Sequence, residues 1–531
     1  MARPMRPEIE APALKAWLSD GGEIALFDVR EHGQYGSGHL FLAVPLPYSR
    51  FEIALLALAP NAAVRVVLYD DGDGVAQRAA VRAAALGYRN VFVLAGGAKA
   101  WGEAGYTLYA GVNVPSKAFG ELVEARRHTP RISARDVEAM RAADEDFVIV
   151  DGRPFSEYRK MNIPGGICCP NGELVLRIRD IAPDPKTKIV VNCAGRTRSI
   201  IGAQTLIDFG IPNPVAALEN GTQGWFLAGL ALERGASRRY ADTVERADIA
   251  ALRAHARRFA DACGAAFVAP QIAHGWLCEA ARTTYLIDVR TAEEFAADGL
   301  PGFVHAPGGQ LVQATDQWIG VKGARIVLFD REQVRAPVIA GWLRQLGHEA
   351  FVLDNDGAAA ALDWRRPANS LELPALRPIS VQEAAEGRRK GAVQMVDVRP
   401  GMTYRQGHAT GAIWAIRPRM AAARIDPARI VAITAESPDL AALVAIDLAG
   451  AGAHDVRIMV GGYPAWRDAG LPIEVSSDRP ADADCIDFLF FTHDRHDGNA
   501  EAARQYLAWE TGLLGQLDAQ ERGVFRIAGG R

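Results

Sequence analysis

Four copies of one short motif divide the 531-residue chain. Each copy is an apolar run that ends in Asp-x-Arg, at 26–30, 149–153, 286–290 and 395–399. A glycine pair in the first and fourth copies, Asn220-Gly221 in the second and Asp356-Gly357 in the third then precede one tryptophan per copy: Trp101, Trp225, Trp364 and Trp466. Self-similarity of this kind indicates repeated structural units. The motifs therefore predict four related units of roughly 110 residues rather than one large core.

Constant shifts between the copies support this division. One shift carries both Asp28 to Asp151 and Asp70 to Cys193. A second shift carries both Asp151 to Asp288 and Cys193 to Asp330, so the register is kept from one landmark to the next without a gap. Agreement over that length indicates that the second and third repeats share one fold in the same register.

The apolar pattern inside each unit indicates alternating strands and helices. β-Branched runs such as 65–68 and 189–191 alternate with alanine-rich stretches such as 77–86 and 203–209. This alternation is typical of parallel sheets that are covered on both faces. We therefore predict an α/β fold of four tandem domains, each a mostly parallel sheet flanked by helices. The predicted domains are 1–110, 125–233, 245–366 and 373–474, followed by a C-terminal helical tail over 475–531. The connectors at about 111–127 and 233–250 are rich in alanine, arginine and glutamate, which predicts helical links.

Charge and hydropathy exclude several classes of partner. The 59 basic and 63 acidic residues give a formal net charge of −4, which provides no positive field for binding phosphate backbones. No apolar run approaches the roughly 20 residues needed to cross a bilayer, and no signal-peptide pattern follows Met1. We therefore expect a cytoplasmic protein that binds neither nucleic acid nor membranes.

One cysteine stands where chemistry is expected. Cys193 follows a predicted strand and precedes a predicted helix over 200–209, and ligands of parallel α/β sheets bind beyond the carboxyl ends of the strands. The other copies carry, at this position, Asp70, Asp330 and either Thr434 or Ala435. A helix N-terminus and the nearby Arg196 and Arg198 favour the reactive thiolate. Cys193 is therefore the candidate nucleophile.

Together these motifs resemble the rhodanese domain of the sulfurtransferase family. The shared features are Asp-x-Arg, an aromatic residue before Gly407-His408 in the fourth copy, the strand–cysteine–loop–helix segment, and Gly-Gly-x-x-x-Trp. The resemblance covers most of the chain and implies four tandem rhodanese-like domains, of which only the second is catalytic. In such domains Asp151 and Arg153 have a structural role, and Arg153 and an acid such as Glu157 tie the first loop to its neighbours. The resemblance implies structural support of the site by Asp151, Arg153, Glu157 and Trp225.

The length of the loop after Cys193 separates two kinds of chemistry. Four residues lie between Cys193 and Arg198, as in rhodanese domains, whereas the related phosphatases have five residues before the arginine. By this resemblance, the loop binds a sulfur-bearing anion through Ala194, Gly195, Arg196, Thr197, Arg198 and Ser199. Two alternatives remain: a cysteine-dependent phosphatase or arsenate reductase, and a sulfur-carrier scaffold without turnover.

The resemblance also implies a reaction. Sulfane sulfur passes from an anionic donor to a thiophilic acceptor through a persulfide on Cys193. The donor is thiosulfate, 3-mercaptopyruvate or a low-molecular-weight persulfide, and the acceptor is a thiol, cyanide or a protein. We expect no metal and no organic cofactor, because a thiolate displaces a thiol or sulfite directly. The sequence leaves homodimer formation open.

The other cysteines are predicted to pack structurally. Cys168 and Cys169 lie side by side on a predicted strand, so alternation is expected to bury one and turn the other outward. Resolution of the Cys193 persulfide by one of them is the alternative. No basic or glycine-rich context surrounds the remaining three, which are Cys263, Cys278 and Cys485.

The C-terminal tail contains two further features. His493 and His496 are interpreted as an exposed pair in a loop rather than as metal ligands. The stretch 499–520 interleaves apolar and charged residues, which predicts an amphipathic helix. We expect this helix to dock on the body of the protein or on a second subunit.

Overall fold

The computed structural model describes residues 7–242, 248–354, 357–366, 371–491 and 495–528. The chain divides into two compact units. One comprises Met1–Lys15, Leu26–Val112 and Ala368–Phe491, and the other comprises Ala16–Ala25, Asn113–Pro367 and Thr492–Arg531. Most of the first repeat and the fourth repeat belong to the first unit, and the second and third repeats belong to the second. Met1, Asp356 and His493, which are named above, lie outside the described residues.

Each repeat forms a five-stranded sheet with the same strand order. Numbered along each repeat, the strands lie in the order first, fifth, fourth, second, third. Neighbouring strands pair in parallel, and helices connect most of them. Four sheets of one topology confirm the predicted α/β class and the predicted repeat structure.

The strands are short in every repeat. Those of the first repeat are Glu8–Ile9, Ile24–Asp28, Val44–Pro45, Arg65–Tyr69 and Val91–Leu94. Those of the second are Arg131–Ile132, Phe147–Asp151, Ile167–Cys168, Lys188–Asn192 and Val215–Leu218. Those of the third are Ala266–Val268, Thr284–Asp288, Val304–His305, Arg325–Phe329 and Glu349–Leu353. The fourth has Arg377–Ile379, Val393–Asp397, Ile413–Trp414, Ile430–Thr434 and Val456–Met459, with a separate antiparallel pair, His408–Ala409 and Ile473–Glu474.

The α-helices follow the same succession. In the first and fourth repeats they are Ala11–Trp17, His32–Ser37, Phe51–Leu58, Val75–Ala85, Gly97–Glu103, Val381–Arg389, Gly401–Gln406, Pro438–Gly450 and Gly462–Asp468. The second unit begins with Val114–Arg127, Ala134–Ala142, Phe155–Lys160, Leu174–Ile181, Thr197–Phe209 and Gly221–Leu227. It continues with Ile249–Ala262, Pro270–Leu277, Ala292–Asp298, Gly308–Gln313, Arg335–Gln345, Ala500–Gln516 and Ala519–Arg522. Short 3-10 helices are Tyr48–Arg50, Thr315–Gln317, Ala358–Ala361 and Arg417–Ala423. None of the described helices combines the length and apolar character that a bilayer span requires.

The central strand of the second domain is buried on both faces. Ile189 and Val191 belong to the core on one face, and Val190 packs with Trp225 in the core on the other. Alternate side chains of a strand point to opposite faces, so both cores hold Lys188–Asn192 in place. The loop that follows this strand therefore starts from a fixed point.

Strand register settles which residue of the fourth repeat corresponds to Cys193. In the second domain Asn192 pairs with the aspartate of the Asp-x-Arg motif, and Cys193 follows it. In the fourth domain the aspartate of the motif, Asp397, pairs with Thr434. The residue that follows is Ala435. Of the two candidates from the sequence, Ala435 is therefore the structural counterpart of Cys193.

The connectors match the sequence expectation in one case and differ in the other. The helix Val114–Arg127 occupies most of the link after the first repeat, where a helical link was expected at 111–127. Residues 233–242, expected to be helical, are extended instead, and Glu233 and Arg239 bridge to Asn162 and Cys168. These backbone hydrogen bonds hold the segment against the second domain and take the place of those of a helix.

Candidate active site

Cys193 lies at the start of the segment 193–199, which we name the cysteine loop. The loop connects the strand Lys188–Asn192 to the helix Thr197–Phe209. Cys193 is 2% exposed, and its Sγ lies 3.4 Å from the Ser199 Oγ. A hydroxyl at this distance can donate a hydrogen bond to a thiolate. The predicted loop residues thus form one compact turn around the thiol.

The segment that begins at Asn220-Gly221 supports the loop through backbone hydrogen bonds. The backbone N–H of Thr222 donates to the Cys193 carbonyl at 2.8 Å, and that of Gln223 donates to the Ala194 carbonyl at 3.1 Å. Gly221 has a φ of +55°, and a Cβ there would lie 2.3 Å from the Cys193 carbonyl oxygen. Only glycine allows this approach. The repeated glycine motif therefore fixes the loop.

Arg196 is committed to ion pairs. Its guanidinium donates to Glu121 at 2.6 and 2.8 Å and to Glu124 at 2.5 Å, both on the helix Val114–Arg127. Burial lowers the pKa of Arg196, but these carboxylates outweigh it and raise the pKa above its usual value. The charge of Arg196 is thus balanced by two acids, and this residue ties the loop to the neighbouring helix.

Arg198 has a different environment. It donates to both oxygens of Glu157 at 2.8 Å and to the Gln310 side-chain oxygen at 3.3 Å. Burial lowers its pKa, but Glu157 outweighs this effect and raises the pKa above its usual value. Arg198 therefore pairs with one carboxylate and one neutral amide, whereas Arg196 pairs with two carboxylates.

The residues predicted to support the site lie beneath it. Arg153 pairs with Asp151 at 2.7 Å, with both side chains 1% exposed, and also donates to the Met161 carbonyl at 2.6 Å. Trp225 is buried in the core and donates to the Ala231 carbonyl. Glu157 pairs with Arg198 of the cysteine loop at 2.8 Å.

The corresponding loops of two other domains hold a carboxylate in a backbone cradle. Asp70 accepts a hydrogen bond from the N–H of Ala76 at 2.9 Å. Asp330 accepts one from the N–H of Ala336 at 3.0 Å. By the constant shifts, both alanines correspond to Ser199. The loop backbone of this fold therefore presents N–H groups to a negative group at the position that Cys193 occupies.

The C-terminal helix Ala500–Gln516 covers the cysteine loop. Its Glu510, 1% exposed, accepts hydrogen bonds from the Thr197 hydroxyl at 2.7 Å and from the Thr197 N–H at 3.4 Å. The carboxylate thereby caps the helix that begins at Thr197, where a negative charge is favoured. This confirms that the tail helix docks on the body. The sequence analysis did not identify Glu510. The one feature that could have indicated its role is that this acidic residue lies on the same helix face as Tyr506 and Leu513, which are buried.

Lys117 balances Glu510. Its ammonium lies 3.7 Å from the Glu510 carboxylate and donates to the Tyr506 hydroxyl. Burial lowers the pKa of Lys117, but Glu510 and Tyr506 raise it above its usual value, so the ammonium stays charged. The buried pair therefore joins the tail helix to the helix Val114–Arg127.

Replacing Lys117 with methionine is expected to lower the free energy of unfolding of the second compact unit, which contains the second and third repeats, by about 1.5–3 kcal/mol. The variant removes the cation that faces the buried Glu510 carboxylate at 3.7 Å. Urea unfolding followed by tryptophan fluorescence measures the loss. The double variant Lys117→Met/Glu510→Gln buries no charge here and is expected to recover most of the stability. A single variant as stable as the parent protein would contradict the assignment.

The structure corrects the expectation for the remaining cysteines. Cys168 and Cys169 are both buried, although one was expected to face outward. Burial raises the pKa of Cys168 to about 12 and that of Cys169 well above the usual value, which disfavours thiolates. Cys485 is buried and Cys263 is half-buried, as packing residues should be. Cys278 is exposed, so its predicted packing role is wrong.

His496 also differs from the expectation. It is half-buried rather than exposed. Burial and the neighbouring Arg495 lower its pKa to about 3, so the imidazole is neutral at physiological pH. The side chain therefore adds no positive charge beside the loop.

Comparison with known proteins identifies the family. The model of the Rhodanese-like domain matches residues 10–104, 133–228, 273–359 and 380–469. A crystal structure of a thiosulfate sulfurtransferase from Pseudomonas aeruginosa is 41% identical, covers 98% of this chain and 100% of its own, and has a TM-score of 0.90. These matches extend over all four repeats and almost the whole chain.

Two further relatives match short parts of the chain. A protein of unknown function from Rhodopseudomonas palustris, described as a possible tyrosine phosphatase, is 35% identical, covers 21% of this chain and 91% of its own, and has a TM-score of 0.19. An HTH-type transcriptional regulator from Mycobacterium tuberculosis is 32% identical over 97 residues, which are 18% of this chain and 42% of the regulator. The chain thus spans less than half the length of that regulator. From the matches over all four repeats, the chain belongs to the rhodanese family and is a rhodanese-like sulfurtransferase.

Proposed function

We propose that the second domain carries the sulfurtransferase site and that Cys193 is its nucleophile. One observation carries the proposal: the loops of the first and third domains hold the carboxylates of Asp70 and Asp330 on backbone N–H groups. The same backbone around Cys193 favours the thiolate and, after sulfur transfer, the terminal sulfur of a persulfide. Ala435 places no such group in the fourth domain.

The proposed reaction is a double displacement. The Cys193 thiolate attacks the outer sulfur of thiosulfate, a new S–S bond forms, and the S–S bond of the donor breaks. Sulfite leaves with the bonding electron pair. An acceptor such as cyanide or a thiolate then attacks the terminal sulfur of the persulfide, and the Cys193 thiolate is released. Neither step needs a proton transfer or a cofactor when the nucleophiles are ionised.

The environment of the loop favours an anionic donor. Arg198 brings a guanidinium into the loop with Glu157 as its one carboxylate partner among the described residues, and the loop backbone corresponds to that which holds Asp70 and Asp330. The Pseudomonas aeruginosa relative is described as a thiosulfate sulfurtransferase, and this similarity supports thiosulfate as the donor. The spacing from Cys193 to Arg198, with four residues between them, resembles that of rhodanese loops, and this resemblance favours sulfur over a phosphoryl group. Cyanide, a thiol or a protein thiol would take the sulfur.

Mass spectrometry of the peptide that contains Cys193 tests this function. The protein is treated in turn with thiosulfate, 3-mercaptopyruvate and glutathione persulfide, and is digested without reductant. We expect one added sulfur atom on Cys193 with thiosulfate and loss of that atom on addition of cyanide. Absence of the adduct with every donor, or release of phosphate from an aryl phosphate in its place, would refute the proposal.

A further inference from the structure

The constant shift between the second and third repeats relates the surroundings of two loops that lie in the same compact unit. By this shift Arg198 of the cysteine loop corresponds to Arg335 of the third domain. Each arginine pairs with a glutamate of its own domain, Arg198 with Glu157 at 2.8 Å and Arg335 with Glu294 at 2.7 Å. The two glutamates also correspond. The arginines therefore have equivalent positions and one equivalent ion pair.

Each arginine also contacts the neighbouring domain. Arg335 donates to Glu173 of the second domain at 3.0 and 3.2 Å. Arg198 donates to Gln310 of the third domain at 3.3 Å. The same shift relates Glu173 to Gln310. The residue that reaches the arginine from the neighbouring domain is thus an acid, Glu173, at the loop of the third domain. At the cysteine loop it is a neutral amide, Gln310.

Close backbone contact fixes both crossing residues. A Cβ added to Gly172 would lie 2.8 Å from the Gly309 nitrogen, and one added to Gly309 would lie 2.9 Å from the Gly172 nitrogen. These glycines immediately precede Glu173 and Gln310. Because no side chain fits between the two backbones, the distance from each crossing residue to its arginine is set by the domain contact.

The charge around the two arginines differs further. Arg335 also contacts Glu332 at 2.5 Å and lies 3.8 Å from Asp330. The corresponding positions in the cysteine loop are Gly195 and Cys193. Among the described residues, four carboxylates therefore lie within 4 Å of Arg335, whereas Arg198 pairs with one, that of Glu157. The carboxylates around Arg335 therefore outnumber its one positive charge, whereas at Arg198 one carboxylate faces one guanidinium.

We propose that Gln310 of the third domain completes the donor site of the second domain, and that its neutral amide sets the preference of the site for dianionic donors. This inference rests on the proposed function of Cys193. Gln310 holds the Arg198 guanidinium through its side-chain oxygen without adding a second carboxylate to that of Glu157. A doubly negative donor gains about twice as much as a singly negative one from that charge, so a glutamate in place of Gln310 penalises dianions most. Gln310 is a positioning and specificity residue.

Binding measurements test the proposal independently of sulfur transfer. Titration calorimetry at constant ionic strength gives the dissociation constants of thiosulfate and of sulfate for the Cys193→Ser protein, in which no persulfide forms. We expect Gln310→Glu in this background to weaken both dianions by about tenfold or more. Gln310→Met, which is neutral and similar in size, should weaken them less than about threefold, since the lost hydrogen bond is worth roughly 0.5–1.5 kcal/mol.

Glu173→Gln provides the matched control, because it changes the same charge at the corresponding position of the other loop. We expect it to leave both dissociation constants unchanged. Equal affinities with and without the Gln310→Glu substitution, equal losses in the methionine and glutamate variants, or no binding of either dianion would overturn the proposal. A failure of the proposed function would be detected by a different measurement. In that case no sulfur adduct would form on Cys193 in the parent protein, while anion binding would still depend on the charge at position 310.

Discussion

Replacing Cys193 with serine is expected to reduce sulfur transfer to cyanide by at least about a thousandfold. The serine hydroxyl is a far weaker nucleophile than a thiolate at neutral pH, and no neighbouring histidine is present to activate it among the described hydrogen-bond partners of the loop. The fold is expected to survive, because serine has the shape of cysteine and is smaller, so it fits the same space, and its hydroxyl can hydrogen-bond with that of Ser199. Steady-state thiocyanate formation from thiosulfate measures the effect.

Cys278→Ser is the matched control, since it makes the same substitution at an exposed cysteine of the same compact unit. This variant should keep the parent rate and the parent unfolding midpoint. Parent-like turnover in the Cys193→Ser protein would exclude Cys193 as the nucleophile. Equal loss of turnover in the two variants would point to a general effect of cysteine removal.

The fold could be predicted because its signals are local. The apolar run 189–191 and the helical stretch 200–209 agree with the strand Lys188–Asn192 and the helix Thr197–Phe209. Cys168 and Cys169 show where local reasoning fails: alternation gives opposite faces, but helices cover both faces of a parallel sheet, so both thiols are buried. The pattern of a strand does not show what packs on each face.

The candidate site could be predicted in part for a related reason. The strand-to-helix turn and its resemblance to the rhodanese loop singled out Cys193 and the residues after it. The partners of the loop are distant in sequence: Glu121 is 75 residues from Arg196, Gln310 is 112 from Arg198, and Glu510 is 313 from Thr197. No local pattern connects such pairs. Both arginines were therefore expected to face the donor, whereas Arg196 is neutralised by acids on another helix.

Buried charge around Arg335 leads to the second large effect. Arg335→Met is expected to lower the free energy of unfolding of the second unit by about 3–5 kcal/mol at pH 7. The arginine side chain is fully buried, and its loss leaves the carboxylates of Glu173, Glu294 and Glu332 close together without their common cation. Because Glu173 belongs to the second domain, the loss falls on the contact between the two domains. Urea unfolding followed by tryptophan fluorescence measures it.

The pH dependence of this loss distinguishes charge from packing. Burial raises the pKa of Glu294, but Arg335 outweighs it and lowers the pKa to about 2, below the usual 4.5. A carboxylate with a depressed pKa stabilises the fold above its unfolded pKa, and that contribution disappears as the pH falls through the folded pKa. The difference between the parent and Arg335→Met should therefore be constant from pH 8 to about 5.5 and shrink below about 4.5. Arg365→Met, which removes an exposed ion pair with Asp363 in the same unit, should cause no measurable change. A difference that stays constant down to pH 3 would show that lost packing, rather than unpaired carboxylates, destabilises the variant.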